Sequence, residues 1–228
     1  MKFLFLFLSM FACLLQADDS QRLLRVDHYV RVRSVAPSMP GQTASIYVRE
    51  VVKAGVALRG ESKGVVLFVH GACTPAEVAF DVPHSDYSWM AHLAHAGFDV
   101  FAMDMTGYGR SARPAPMQDP CNLNPSQRAQ FPAATAACAG QPAGPVTTIE
   151  SDWHDIDAVV DHLRKLRGAA KVHLAGWSLG GPRAGGYSMQ HPEKVARLVL
   201  LSPAYSRTRP SPGAPPQNQQ QSAPFNTQ

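Results

Sequence analysis

The stretch from Lys171 to Gly181, K-V-H-L-A-G-W-S-L-G-G, sets one serine between glycines at the end of an apolar run. Gly176-Trp177-Ser178-Leu179-Gly180 fits G-x-S-x-G, and a helix-like continuation runs through Gly186 and Tyr187. A serine held on a sharp strand-to-helix turn exposes its hydroxyl, and its neighbours must lack side chains so that adjacent backbone can pass close by. Ser178 is therefore the candidate nucleophile for attack on an acyl carbon. The pattern also occurs in ordinary strand-to-helix turns, so its surroundings decide.

A serine nucleophile needs a base to take its proton and an acid to orient that base. After Ser178 the only histidine is His191 and the only carboxylate side chain is Glu193. A helical path from Ser178 carries His191 roughly 20 Å away, so His191 and Glu193 are expected to mark a surface helix end and turn. Asp152, His154 and Asp155 fall in the early turns of another helix, where acids are favoured by the helix dipole. Cys73, close after His70-Gly71, is expected to be a small buried thiol and not a rival nucleophile. No metal-ligand spacing such as C-x-x-C or H-E-x-x-H occurs, and no cofactor is implied.

The elements that must position these residues alternate along the chain. Arg25–Val35 and Ala44–Val52 alternate apolar and polar residues around a Pro/Gly turn, which predicts an antiparallel strand pair at a sheet edge. Val65–Val69 and Asp99–Met103 are short buried strands, the first a continuous apolar run of the kind found inside parallel sheets. Tyr87–Ala96 has helical spacing and stops at Gly97. Thr147-Thr148-Ile149-Glu150 fits a capping box, after which Ile149, Trp153, Ile156, Val160, Leu163 and Leu166 recur at helical spacing as far as Gly168. A Gly-rich helix from Leu179 to about His191 and a strand from Ala196 to Leu201 follow the serine turn. Residues 112–146 are rich in Pro, Ala and Gln without a period, and are expected to form a loop insertion over the sheet's upper edge. The alternation predicts an α/β domain with a doubly wound, mostly parallel sheet. Its ligand edge is where strands end, the place of His70-Gly71, Asp104–Ser111 and Ser178.

The 228 residues suit one domain. The formal charge of +4 is mild, and the basic residues are scattered, which argues against nucleic acid as a partner. Residues 1–17 combine a charged start with an apolar run too short to span a bilayer comfortably, which predicts a secretory signal peptide. A lipoprotein anchor at Cys13 is the lesser option, because Met10-Phe11-Ala12 is a poor lipobox. Export favours a disulfide between Cys121 and Cys138, leaving Cys73 outside the pair. Loop-closure entropy makes such a bridge worth about 3 kcal/mol.

Together these residues resemble the α/β-hydrolase family. The likeness rests on His70-Gly71 after one buried strand, Asp104-x-x-Gly107-x-Gly109-x-Ser111 after the next, and the Gly176–Gly180 turn after the third. It covers residues 65 to about 205, with the 25–52 strand pair as the family's leading strands. The resemblance implies a serine hydrolase acting on an ester, lactone or amide, a small-molecule substrate carrying an acyl group. It makes Ser178 the acyl acceptor, with the backbone N–H groups of Leu179 and Ala72 as oxyanion donors. His70, Gly71, Gly176 and Gly180 would shape the elbow and loop. Relatives carry acid and base after a cap segment and further strands, whereas residues 206–228, Pro/Gln-rich and without apolar period, are expected to be an irregular tail or the start of a cap segment. The chain is accordingly expected to be an N-terminal portion, incomplete on the C-terminal side and weakly active or inactive. The competing expectation is a non-catalytic binding module whose open sheet edge pairs with a partner.

Overall fold

The computed structural model describes residues 19–136, 138 and 144–204. The expected signal peptide, the Cys13 anchor and the 206–228 stretch lie outside them.

Strands β1 (Leu23–Arg33) and β2 (Thr43–Lys53) form a hairpin in continuous antiparallel register from Leu23↔Lys53 to Arg33↔Thr43. Helix α1 (Ala54–Arg59) follows and ends on Gly60 in the left-handed region at φ +68°. It escapes sequence reading because fewer than two turns show no period. Strand β3 (Val65–Val69), the short helix α2 (Ala76–Phe80), helix α3 (Trp89–His95) and strand β4 (Asp99–Met103) come next. Ser88 caps α3 by accepting from the Ala91 N–H, and Gly97 turns the chain at φ +99°. The 112–146 excursion holds two 3-10 turns and the short helices α4 (Pro125–Gln130) and α5 (Pro132–Thr135). Cys121 and Cys138 are joined by a disulfide within it.

Helix α6 (Ile149–Arg167) is capped by Thr148 with Ser151 as its reciprocal partner, one residue later than the sequence suggests. It ends at Gly168, φ +61°. Strand β5 (Val172–Trp177), helix α7 (Gly180–Gln190) and strand β6 (Val195–Leu201) complete the described elements. The sheet order is β1-β2-β4-β3-β5-β6, with β3, β4, β5 and β6 parallel to one another and β2 antiparallel to both of its neighbours, β1 and β4.

Side chains alternate between the sheet's two faces, so each parallel strand feeds two cores. Leu67, Val69, Phe101, Met103 and Leu174 pack under α6 and α7 with Ile156, Val160, Leu163 and Tyr187. Val66, Phe68, Val100 and Ala102 pack on the opposite face with Phe80, Met90 and Ala94 of α2 and α3. This is the expected doubly wound layering, and among the described residues β6 has a strand neighbour on one side only.

Candidate active site

Ser178 stands where β5 gives way to α7, at φ +54°. A residue bearing a Cβ adopts that conformation only when its surroundings over-determine it. Here the Ser178 N–H donates to the Leu201 carbonyl at 3.0 Å, and the Ser178 carbonyl accepts from the Gly181 and Ala204 N–H groups, both at 2.9 Å. The chain is equally tight on either side. A Cβ at Gly176 would overlap the Gly180 carbonyl, and one at Gly180 would overlap the Val69 carbonyl at the end of β3. Sharp turn and close backbone approach therefore need glycine at both places.

The loop after β3 lies directly against the serine. A Cβ at Gly71 would come within 2.9 Å of the Ser178 Cβ and 3.4 Å of its Oγ. His70, fully buried, accepts at Nε2 from the Met105 N–H at 3.1 Å, so its Nδ1–H donates to the Gly71 carbonyl at 2.7 Å. Burial, reinforced by the Arg183 charge, lowers its pKa to about 3, leaving a neutral ring that ties the β3 and β4 loops together. Neither ring nitrogen is left to take a proton from Ser178. Cys73 is exposed at φ +63°, not buried as the sequence suggests. The backbone N–H groups of Ala72 and Leu179 find no acceptor among the described residues.

The β4 loop is built on Asp104. Its carboxylate accepts from the Ala76 N–H at 2.7 Å and the Arg110 N–H at 2.9 Å, while its carbonyl accepts from the Ser111 hydroxyl at 2.6 Å. A Cβ at Gly109 would overlap that carboxylate. Burial raises the Asp104 pKa, against the pull of those two N–H groups. The spaced Asp, Gly and Ser of the motif thus make one folded loop.

Asp152 and Asp155 do more than complement a helix dipole. Asp155 accepts from the Thr106 N–H at 3.1 Å, and burial raises its pKa to about 6. Asp152 pairs with Arg183 of α7 at 2.6 Å, both side chains being buried. Arg183 also donates to the carbonyls of His70 and Gly71 and lies 5.5 Å from the Tyr108 ring centre. Sequence reasoning missed Arg183. The available signal was its place on the α7 stripe that also carries Gly180, Ala184 and Tyr187, a strange position for a charge.

No described histidine bonds to Ser178, and its Oγ has no hydrogen-bond partner among the described residues. His191 caps the far end of α7, its ring tilted against Tyr187 at 4.8 Å between centres and paired with Glu193 at 3.5 Å. Beside the elbow, Ala79, Phe80, Trp89, Trp177 and Leu201 line an apolar cleft of about 210 Å³. Among the described residues no group of three or more His, Cys, Asp or Glu side chains could hold a metal ion. None of their helices is long and apolar enough to cross a membrane.

An open sheet of this order, with a strained serine between β5 and α7, defines a hydrolase-type α/β architecture. The chain matches the family described as the alpha/beta hydrolase fold over residues 64–227 and belongs to that family. No curated protein matches it. Among solved structures it is similar to a probable hydrolytic enzyme from Pseudomonas aeruginosa PAO1, at 22% identity and TM-score 0.51, covering 78% of this chain and 41% of that one. It is also similar to a thioesterase domain from the curacin biosynthetic pathway, at 18% identity and TM-score 0.51, covering 82% and 49%. A CIB-like hydrolase from Thermoplasma acidophilum matches at 16% identity and TM-score 0.50, covering 81% and 66%. These likenesses establish the fold. The chain spans about half the length of the first two structures.

Proposed function

We propose that the chain is the nucleophile-bearing portion of a serine hydrolase that cleaves an ester, lactone or amide. The carrying observation is the Ser178 turn: a serine at φ +54° with Gly71 packed against it and no protein partner on its hydroxyl among the described residues. In this reading Ser178 Oγ attacks the acyl carbon and the Leu179 and Ala72 N–H groups stabilise the charge on the tetrahedral oxygen. Collapse breaks the bond to the alcohol or amine, and water then hydrolyses the acyl-enzyme. The Ser178 proton must pass to a base and return to the leaving group. Neither His70, whose ring is spent on Met105 and Gly71, nor His191 at the far end of α7 suits that task. Base and acid are therefore assigned to polypeptide that adds to the free edge of β6. The disulfide and the N-terminal sequence support export of the chain.

The test is turnover of a p-nitrophenyl ester by the exported chain beside its Ser178→Ala variant. Turnover is expected to be slight and lost in the variant. Robust turnover by the chain would overturn its assignment as incomplete, and turnover indifferent to Ser178 would overturn the nucleophile.

A second reading, a non-catalytic module whose sheet edge binds a partner, is favoured by one observation: Leu198, Val199, Leu200 and Leu201 of β6 are all exposed. Capture of a partner by the Ser178→Ala variant with undiminished affinity, and no hydrolysis by the resulting complex of the unmutated chain, would select it.

A further inference from the structure

Arg183 stands five residues beyond Ser178, on the stripe of α7 that faces the core, and is 3% exposed. An apolar side chain would fill that place without desolvating a charge, and buried ion pairs are seldom needed for stability. What Arg183 does that an apolar residue could not is donate. Its Nε holds Asp152 at 2.6 Å, and its Nη1 reaches the His70 carbonyl at 3.1 Å and the Gly71 carbonyl at 3.3 Å.

Those carbonyls belong to the two consecutive peptide units flanking Gly71. In a planar trans peptide the N–H points opposite to the C=O. A Gly71 carbonyl held toward Arg183 therefore turns the Ala72 N–H away from it. The same carbonyl accepts from His70 Nδ1 at 2.7 Å, so two donors fix this one peptide. Reversing it would put an oxygen where the free N–H now stands and would break both bonds. With no Cβ, Gly71 offers no steric resistance of its own to such a reversal.

We infer that Arg183 is a positioning residue for acyl transfer, holding the Gly71–Ala72 peptide in the orientation that presents the Ala72 N–H to the developing oxyanion. This rests on the serine-hydrolase reading above. Asp152 holds the guanidinium in place, and Tyr108, 5.5 Å from it, packs on the His70 ring at 4.5 Å.

The test uses the full chain in two variants. Arg183→Met with Asp152→Asn removes the donors without leaving a buried carboxylate unpaired. Arg183→Lys keeps the charge but lacks the fork that reaches carboxylate and carbonyls together. The first readout is the residual dipolar coupling of the Ala72 N–H, which reports the direction of that bond. It is expected to change or broaden in both variants while the couplings of β4 and α6 stay as in the parent. The second readout is ester hydrolysis, with kcat expected to fall about 100-fold and KM to stay within about twofold. An unchanged Ala72 coupling, or a loss confined to KM, overturns the inference. If the double variant does not fold, Arg183→Lys decides on the same readouts. A parent whose Ser178-dependent turnover is too slight to measure is what the missing base predicts, and the dipolar coupling alone then decides whether Arg183 orients the peptide.

Discussion

Strands β3 and β6 are nearly the same kind of sequence, V-V-L-F-V and V-A-R-L-V-L-L, and their fates in the fold are opposite. Every residue of β3 is buried between two strands and two helical layers. In β6 none is buried, and Val199 is 60% exposed. Apolar composition placed both in the sheet; only the neighbours differ. The contrast runs through the site as well. On the β3 side the loop against Ser178 is over-determined by His70, Arg183, Asp104 and their partners. On the β6 side, Leu201 and Ala204 hold the Ser178 backbone but bring no side chain able to accept a proton. Under the proposed serine-hydrolase reading, the β3 side supplies one half of the chemistry and the β6 side is where the other half would be added.

The largest effect expected from this contrast is on turnover. Removing the histidine of a serine protease costs about a millionfold in kcat. Supplying polypeptide that continues the fold beyond β6 is therefore expected to raise Ser178-dependent ester hydrolysis by at least about 1000-fold over the chain alone. Steady-state kinetics of the two proteins side by side checks this. Equal rates would mean that β6 is an ordinary edge and that the serine works, or fails, with what the chain already holds.

Stability should divide along the same line. Phe101 in β4 is fully buried, and Phe101→Ala is expected to cost about 3–5 kcal/mol. Val199→Ala on β6 is expected to change stability by no more than about 0.5 kcal/mol, as at other exposed places. Urea unfolding of the two variants measures both. A Val199→Ala cost near that of Phe101→Ala would show that β6 is covered in solution, and sedimentation of the same samples would tell whether a second copy covers it.

How much of this was legible beforehand follows from the kind of signal each feature leaves. Strands β3 and β4, the periodic helix α6 and the glycine-flanked serine declare themselves through period and spacing. So does the leading strand pair, while the Cys121–Cys138 partnership follows from the expected export of the chain. Helices α1 and α2 were invisible because one turn or two has no period. Asp152 and Asp155 stand in the early turns of α6 as expected, but their partners, Arg183 and the Thr106 N–H, are distant in sequence and close only after the sheet has formed. Cys73 was expected to be buried by its residue type, but the positive φ that carries the loop past the serine turns it outward. Arg183 belongs with these: its place on a buried stripe was readable, while the carbonyls it holds were not.

The smallest expected effect tests whether acid sensitivity belongs to the finished side. His70 is buried and neutral, with its pKa lowered to about 3, while an unfolded histidine titrates near 6.5. Between those values the unfolded chain binds a proton that the folded chain refuses, so stability rises with pH through that window and falls as pH drops from about 6.5 toward 3. The contribution is up to about 1.4 kcal/mol per pH unit. His70→Gln retains a donor and an acceptor for Gly71 and Met105 but cannot titrate. Its unfolding free energy, followed by urea titration from pH 7 to pH 4, is expected to lose up to one proton's worth of slope relative to the parent. Val199→Ala on β6, which removes no titratable or charged group, is expected to leave the slope as it was. Parallel acid limbs in the parent and in His70→Gln would mean that the His70 ring is reachable by protons in the folded chain. The β3 loop would then be as unfinished as the β6 edge, and the contrast between the two sides would fail.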